Sequence, residues 1–190
     1  MAINIAIDGP AGAGKSTIAK AVAKELEFIY VDTGAMYRAM ALYLIRKGIS
    51  PKEQEKMEEA CKNAEISIVY EKGAQQVILD GENVTEYLRQ EEVGNMASVS
   101  SVNPKIREKL VELQRVLASK ENVVMDGRDI GTCVLPHADI KIYLTASART
   151  RAPEKMQRAG GKGNLPVYWK KLRQISMTEI TGTCTEIFPL

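Results

Sequence analysis

Cysteine, histidine and tryptophan are nearly absent from this 190-residue chain, which holds three, one and one of them, and aromatic residues amount to only 5%. Cys61, Cys133 and Cys184 are widely separated and form no CxxC pair, so neither a disulfide framework nor a zinc site is supported and reduced thiols are expected. An excess of one charge is missing too. Lys and Arg number 26 against 24 Asp and Glu, and the net charge of +2 gives no broad field for nucleic acid or a membrane surface. Any anionic ligand must therefore be held by local groups. No apolar run approaches the roughly 18–20 residues that span a bilayer, and the opening Met-Ala-Ile-Asn-Ile-Ala-Ile-Asp has neither a basic n-region nor a signal-cleavage pattern. A cytoplasmic protein without nucleic-acid or membrane partners is expected. What is present, 45% apolar and 26% charged residues, is ordinary globular composition, and the length suits one compact domain with a small insertion.

The apolar run Ile3, Ile5 and Ile7, with Ala2 and Ala6 between, reads as a strand buried on both faces. Gly9 to Gly14 break it. Ile18, Val22 and Leu26, with alanines around them, then predict an amphipathic helix, so strand, glycine loop and helix open an α/β fold. Phe28–Val31 predicts a second strand and Ala35–Lys47 a helix with Met36 and Met40 on its core side, stopped by Gly48. Ser50-Pro51-Lys52-Glu53 has capping-box order and predicts a helix to about Asn63. Period-two alternation over Ile66–Tyr70, Gln76–Leu79 and Val84 then predicts a local antiparallel unit. Glu91–Ser101 and the stretch from Asn103-Pro104 through Leu117 read as helices, and Asn122–Met125 and Ile140–Leu144 as core strands separated by the loop Asp126-Gly127-Arg128-Asp129.

Gly9-Pro10-Ala11-Gly12-Ala13-Gly14-Lys15-Ser16 satisfies G-x-x-x-x-G-K-[ST] between the first strand and helix. In such a loop backbone N–H groups surround phosphate oxygens, the helix N-terminus adds partial positive charge, Lys15 reaches the β/γ-phosphates and Ser16 offers its hydroxyl to Mg²⁺. Gly9, Gly12, Ala13, Gly14, Lys15, Ser16 and Thr17 are the candidate nucleotide-binding residues. A nucleoside triphosphate donor leaves the acceptor open. Two further segments sit at carboxyl ends of predicted strands, where parallel sheets collect ligands. In Asp32-Thr33-Gly34-Ala35-Met36-Tyr37-Arg38, Thr33 and Arg38 should face the loop's crevice, with Arg38 forked onto a second phosphate. In Asp126-Gly127-Arg128-Asp129, Asp126 is a candidate for holding a metal-bound water, while Arg128 and Asp129 offer opposite charges to an acceptor. Lys15, Arg128 and Asp126 are the candidate catalytic residues. His137, the lone histidine, is not needed, because phosphoryl transfer between nucleotides is mainly positioning and electrostatics.

These segments, together with Glu92-Val93-Gly94-Asn95-Met96-Ala97-Ser98, Asn103-Pro104-Lys105-Ile106-Arg107 and Ile130-Gly131-Thr132, cover residues 1 to about 150 in an order that resembles the bacterial cytidylate kinases, a nucleoside monophosphate kinase family. The resemblance implies a P-loop kinase fold, a parallel sheet flanked by helices, with residues 1–58 and 102–150 as the core and 59–101 as a small β-containing monophosphate-binding insertion. It implies ATP and Mg²⁺, CMP or dCMP as acceptor, and a monomer. It places Arg38 and Arg128 on the acceptor phosphate, Thr33 near phosphate and ribose, and Ser98, Arg107 and Asp129 on the base. Cytosine offers an N4 amine with N3 and O2 acceptors, so Asp129 can accept while Arg107 and Ser98 donate; uracil reverses the first two, at a cost on the order of 1–3 kcal/mol per unsatisfied group. The alternatives are a P-loop kinase for another small acceptor and a non-catalytic nucleotide-binding remnant.

Residues 151–190 depart from the resemblance. The family continues with an arginine-rich helix, Arg-Arg-x-x-Glu-Leu-x-x-Lys-Gly, and a lid with Arg-Asp-x-x-Asp-x-x-Arg. Here Pro153 stands where that helix should run, and Gly160-Gly161-Lys162-Gly163 and Thr181-Gly182-Thr183 break any regular pattern. A one-base frame shift across Pro153–Gly163 permits Arg-Arg-Arg-Cys-Arg-Glu-Leu-Ala-Ala-Lys-Gly, and a two-base shift across Met177–Pro189 permits a lid-like arginine and aspartate pattern. The expectation is that two single-base changes scrambled the chain after about Arg151, ended it early and impair turnover.

Overall fold

The computed structural model describes residues 2–71 and 74–145. Over these the chain runs β1 (Asn4–Asp8), α1 (Lys15–Leu26), β2 (Ile29–Asp32), α2 (Thr33–Arg46), α3 (Gln54–Asn63), β3 (Ile66–Glu71), β4 (Ala74–Leu79), β5 (Glu82–Asn83), α4 (Glu91–Ser100), α5 (Pro104–Lys120), β6 (Val123–Gly127) and β7 (Ile140–Tyr143). A 3-10 turn at Tyr87–Arg89 and a π turn at Ile130–Val134 complete it. The expected lid and arginine-rich helix, and with them Trp169, lie outside the described residues.

Four strands form a parallel sheet in the order β2-β6-β1-β7, and β3, β4 and β5 form a separate antiparallel sheet. The burial of β1 explains its composition. Ile5, Ile7 and Val124 of β6 pack with Ala19 and Ala23 of α1 on one face, while Ala6, Val31 and Met125 pack with Ile130, Val134 and Ala118 of α5 on the other. Alternation along each strand is what divides the two cores. A third core joins Met36, Met40 and Leu44 of α2 to Met57, Leu79, Met96 and Leu110, and α2 also lies against β6, which makes it the wall between the parallel sheet and the antiparallel unit. Met36 and Met40 are core residues, as their spacing indicated.

Local chemistry sets the element ends. Asn103 caps α5 by accepting from Lys105 N (3.0 Å) and Ile106 N (3.3 Å), with Pro104 in the first turn, an arrangement worth about 1 kcal/mol. The capping box at Ser50 behaves differently. Glu53 does reach back to Ser50 N (2.9 Å), but Glu53 N bonds to Ser50 O (2.9 Å), so residues 50–53 close a turn of their own and α3 starts only at Gln54. Only half of the capping box is thus made, since the Ser50 hydroxyl accepts from Lys52 N (3.4 Å) and not from Glu53 N. The expected insertion boundary after residue 58 therefore falls inside α3. Asp126 and Gly127, expected in a loop, are the last residues of β6, because Gly127 stays in register opposite Asp8 of β1.

Gly9 shows how closely the chain approaches itself there. Its φ is 149°, and a Cβ at this position would lie 2.1 Å from the backbone oxygen of Leu144, whose own N–H is bonded to Asp8 O at 2.7 Å. Neither backbone can retreat. Gly9→Ala is expected to lower folding stability by at least ~2 kcal/mol. Urea unfolding measures this, and an unchanged midpoint would show that the β1–β7 approach has more room than this distance allows.

Candidate active site

Register brings the polar strand ends together. Asp32 of β2 stands opposite Asp126 of β6, and Asp126 opposite Ile7 of β1, so the two carboxylates share the face that packs on α1. Asp8, one residue later on β1, points to the opposite face. The loop from Gly9 turns at Gly12 and Gly14, both at φ 78°, and Gly14 starts α1 with no side-chain cap and no acidic residue in the first turn. The first N–H groups of α1 are thus presented to solvent for an anion. Lys15 folds over the loop, its Nζ donating to Pro10 O at 2.9 Å. Ala13 lies within the loop, and Thr17 is exposed on the first turn of α1.

Asp126 is the meeting point. It is only 4% exposed, and its carboxylate accepts from Ser16 Oγ (2.8 Å) and from Tyr30 OH (2.9 Å), while its backbone oxygen accepts from Thr33 Oγ1 (2.8 Å). Burial raises its pKa, the charge of Asp32 raises it further, and the two hydroxyls with nearby Lys15 offset part of the rise. The Tyr30 hydroxyl is pushed up likewise, by burial first and then by Asp32 and Asp126. A hydroxyl beside a carboxylate fits the oxygen-donor needs of Mg²⁺, which binds one or two protein oxygens and keeps several waters. Among the described residues no cluster of three or more His, Cys, Asp or Glu groups offers a full protein cage.

Thr33 and Arg38 lie on α2, Thr33 buried beneath Asp126 and Arg38 half-buried with its guanidinium passing near Gly34. Arg128 is exposed just past the end of β6. Neither guanidinium has a hydrogen-bond or ion-pair partner among the described residues. Arg107 of α5 and Asp129 instead form an ion pair with each other, both about one-third exposed at 38% and 32%. The half-buried Tyr37 senses this pair; burial raises its hydroxyl pKa most, with Arg107 lowering and Asp129 raising it. Ser98 is exposed on α4, and no hydrogen bond among the described residues joins its side chain to Arg107 or Asp129. His137 is exposed and takes no part.

Sequence reasoning missed several groups here. Tyr30 is visible in the sequence only as part of a strand and Asp8 only as the residue before the glycine loop, although a tyrosine or aspartate at the end of a buried strand is itself a signal of a polar partner. Gln75 and Tyr70 of the antiparallel unit were also missed: Gln75 Oε1 accepts from Asp32 N (2.8 Å) and Tyr70 OH donates to Tyr30 O (2.6 Å), serving the exposed edge of β2. A separate cleft of about 610 Å³ lined by Ile45, Ile49, Pro51, Met96 and Val99 lies at the C-terminal end of α2 and contains none of the candidate residues.

Comparison with known proteins gives a consistent result. The sequence model of the cytidylate kinase family matches residues 5–178. A cytidylate kinase of Caldicellulosiruptor saccharolyticus is 48% identical over 188 residues, which is 99% of this chain and 83% of that protein. One from Desulfitobacterium hafniense is 52% identical over 161 residues, 83% of this chain and 69% of that protein. One from Bacillus subtilis is 40% identical over 188 residues, 99% of this chain and 84% of that protein.

The environment of Asp126 leads to a stability prediction. Its raised folded pKa means that the folded state holds the proton more tightly than the unfolded chain, so stability is fully present below the ordinary carboxylate value and is lost as pH rises through the folded value. At neutral pH the ionised group is a net cost. Asp126→Asn is therefore expected to raise Tm at pH 7.5 by about 2–4 °C and to remove that slope. A lower Tm in the variant would show that the carboxylate's hydrogen bonds outweigh its burial and its repulsion with Asp32.

Proposed function

The chain belongs to the cytidylate kinase family and phosphorylates CMP with ATP, and we propose that it does so with the nucleotide triphosphate on residues 9–17 and the acceptor held by Arg38, Arg128, Arg107, Asp129, Ser98 and Thr33. The observation that carries the residue assignment is the pair of guanidiniums, Arg38 in the second turn of α2 and Arg128 just past β6, which have no partner among the described residues and lie on the elements that follow β2 and β6. Two unpaired forks there suit a second phosphate facing the first.

The chemistry needs little from the protein beyond charge and placement. An oxygen of the CMP phosphate, already anionic, attacks the γ-phosphorus of ATP; its bond to phosphorus forms as the bridge to the β-phosphate oxygen breaks, and ADP and CDP result. No proton must be removed from the nucleophile, which accounts for a site without histidine. Lys15 neutralises charge at the β/γ-phosphates, and Arg38 and Arg128 draw the acceptor phosphate into line against its own repulsion with the donor. Ser16 and Asp126 would hold Mg²⁺, which when bound supplies positive charge to the donor phosphates. Asp129 accepts from the cytosine N4 amine while Arg107 and Ser98 donate to the ring acceptors, and dCMP is used as well because none of these contacts needs the 2′-hydroxyl.

The remaining parts of the reading are of the same kind. Residues 1–58 and 102–150 act as the core and 59–101 as the acceptor-binding insertion, and the protein is a cytoplasmic monomer. Residues 151–190 lack the arginine patterns of the family's lid and lower turnover.

Three variants test this reading. Lys15→Ala should reduce kcat/KM for ATP by at least about a hundredfold, and an unchanged value would remove the loop from the mechanism. Asp129→Asn should weaken CMP binding, measured calorimetrically, by about tenfold or more while ATP binding stays put, because the amide can turn its NH₂ toward the N4 amine. A loss confined to ATP would reassign Asp129 to the donor. For the tail, turnover of this chain beside a frame-restored version is expected to be at least about a hundredfold lower, and equal rates would show that the present tail serves as a lid.

A further inference from the structure

The segment bearing Arg128 and Asp129 is held in place from outside itself. After β6 the chain makes the π turn Ile130–Val134, and so short a turn leaves N–H groups at its start and carbonyls at its end that it cannot pair internally. Two charged side chains take them. Asp8, 7% exposed, accepts from Ile130 N through Oδ1 (2.7 Å) and from Gly131 N through Oδ2 (2.8 Å). At the other end Arg115 of α5 donates from Nε to Val134 O (2.9 Å) and from Nη2 to Cys133 O (2.6 Å). All four are charge-assisted hydrogen bonds, stronger than neutral ones.

Asp8 is also the last residue of β1, directly before the phosphate loop. Its side chain lies on the α5 face with Ala6, whereas Asp126 lies on the α1 face, and both hydrogen bonds of the Asp8 carboxylate among the described residues go to the turn at Ile130 and Gly131. α5 in turn supplies Arg107, the partner of Asp129, two turns before Arg115.

We propose that Asp8 and Arg115 are positioning residues for the acceptor nucleotide: they clamp the two ends of the 130–134 turn and so fix where Arg128 and Asp129 stand, touching no substrate themselves. The proposal rests on the assignment of Arg128 and Asp129 to CMP. It means that the same strand end aims the donor loop through its backbone and the acceptor turn through its carboxylate.

Asp8→Asn tests it sharply. The amide keeps the shape but must present its NH₂ to one of two N–H groups, so one bond is lost and a donor faces a donor. The expected result is a rise of about tenfold in the calorimetric Kd and in the KM for CMP, with the ATP Kd changed by less than about twofold. Arg115→Ala, at an exposed side chain, should raise the CMP Kd about threefold, and Arg115→Lys, which can restore one of the two bonds, should recover part of it. If Asp8→Asn does not fold, the Arg115 pair carries the test. A fall in Tm with ATP and CMP weakened alike would overturn the proposal in favour of a purely structural role, as would unchanged CMP affinity in the variants. Asp129→Asn measured alongside separates the two readings. If it weakens CMP binding while the clamp variants do not, the clamp proposal fails alone; if it leaves CMP affinity intact, the acceptor assignment fails and takes the clamp with it.

Discussion

Buried polar groups must be hydrogen-bonded, and the carboxylate and backbone oxygen of Asp126 together draw three other elements to the end of β6. Ser16 comes from the first turn of α1, Tyr30 from β2 and Thr33 from the start of α2, and each places a hydroxyl on this one residue. The carboxylate itself fixes the Ser16 and Tyr30 hydroxyls, while Thr33 is held by the backbone oxygen and β2 by its pairing with β6. The arrangement is costly, since Asp32 lies opposite on the same face and pushes the Asp126 pKa higher still. Sites that must receive a cation and two anions are commonly less stable than the apolar packing that could replace them.

The edge of the parallel sheet raises a second problem that the antiparallel unit answers. Among the described residues β2 ends the row, so no described strand pairs with its outer backbone groups. Tyr70 and Gln75 reach across from β3 and β4 to Tyr30 O and Asp32 N, the backbone of the two residues whose side chains border Asp126. The residues that steady the donor side therefore belong to the unit read as the acceptor-binding insertion. α2 adds the apolar half of that connection by sharing one core with α3, α4, α5 and the antiparallel sheet.

How much of this could be read from the chain depended on the reach of each interaction. The phosphate loop, the strand before it, the Asn103-Pro104 start of α5 and the core methionines of α2 all rest on spacings of a few residues, and all appear as the pattern indicates. The Tyr30–Asp126 and Asp8–Ile130 bonds join residues 96 and 122 positions apart, and no local period reports them. The π turn was invisible for the same reason: besides its own backbone bonds, the groups left over at its ends are taken by the distant side chains of Asp8 and Arg115. At Ser50 the pattern was right about the helix and its end at Asn63 but placed its start too early, because only the Glu53-to-Ser50 N–H half of the capping box forms and Glu53 N turns instead to the Ser50 backbone oxygen.

The same accounting of partners explains how a site with four aspartates can receive two highly negative nucleotides. Asp8 is committed to the N–H groups of Ile130 and Gly131, Asp32 caps α2 by accepting from Ala35 N, Asp126 is held by two hydroxyls and Asp129 by Arg107. Each carboxylate thus meets a donor supplied by the protein. Arg38 and Arg128, which have no such partner among the described residues, are the cations that the proposed arrangement leaves for the substrates. Selectivity in this arrangement comes from which charges the fold has already paired, and a change that released one aspartate from its donor would repel a phosphate even if every arginine stayed in place.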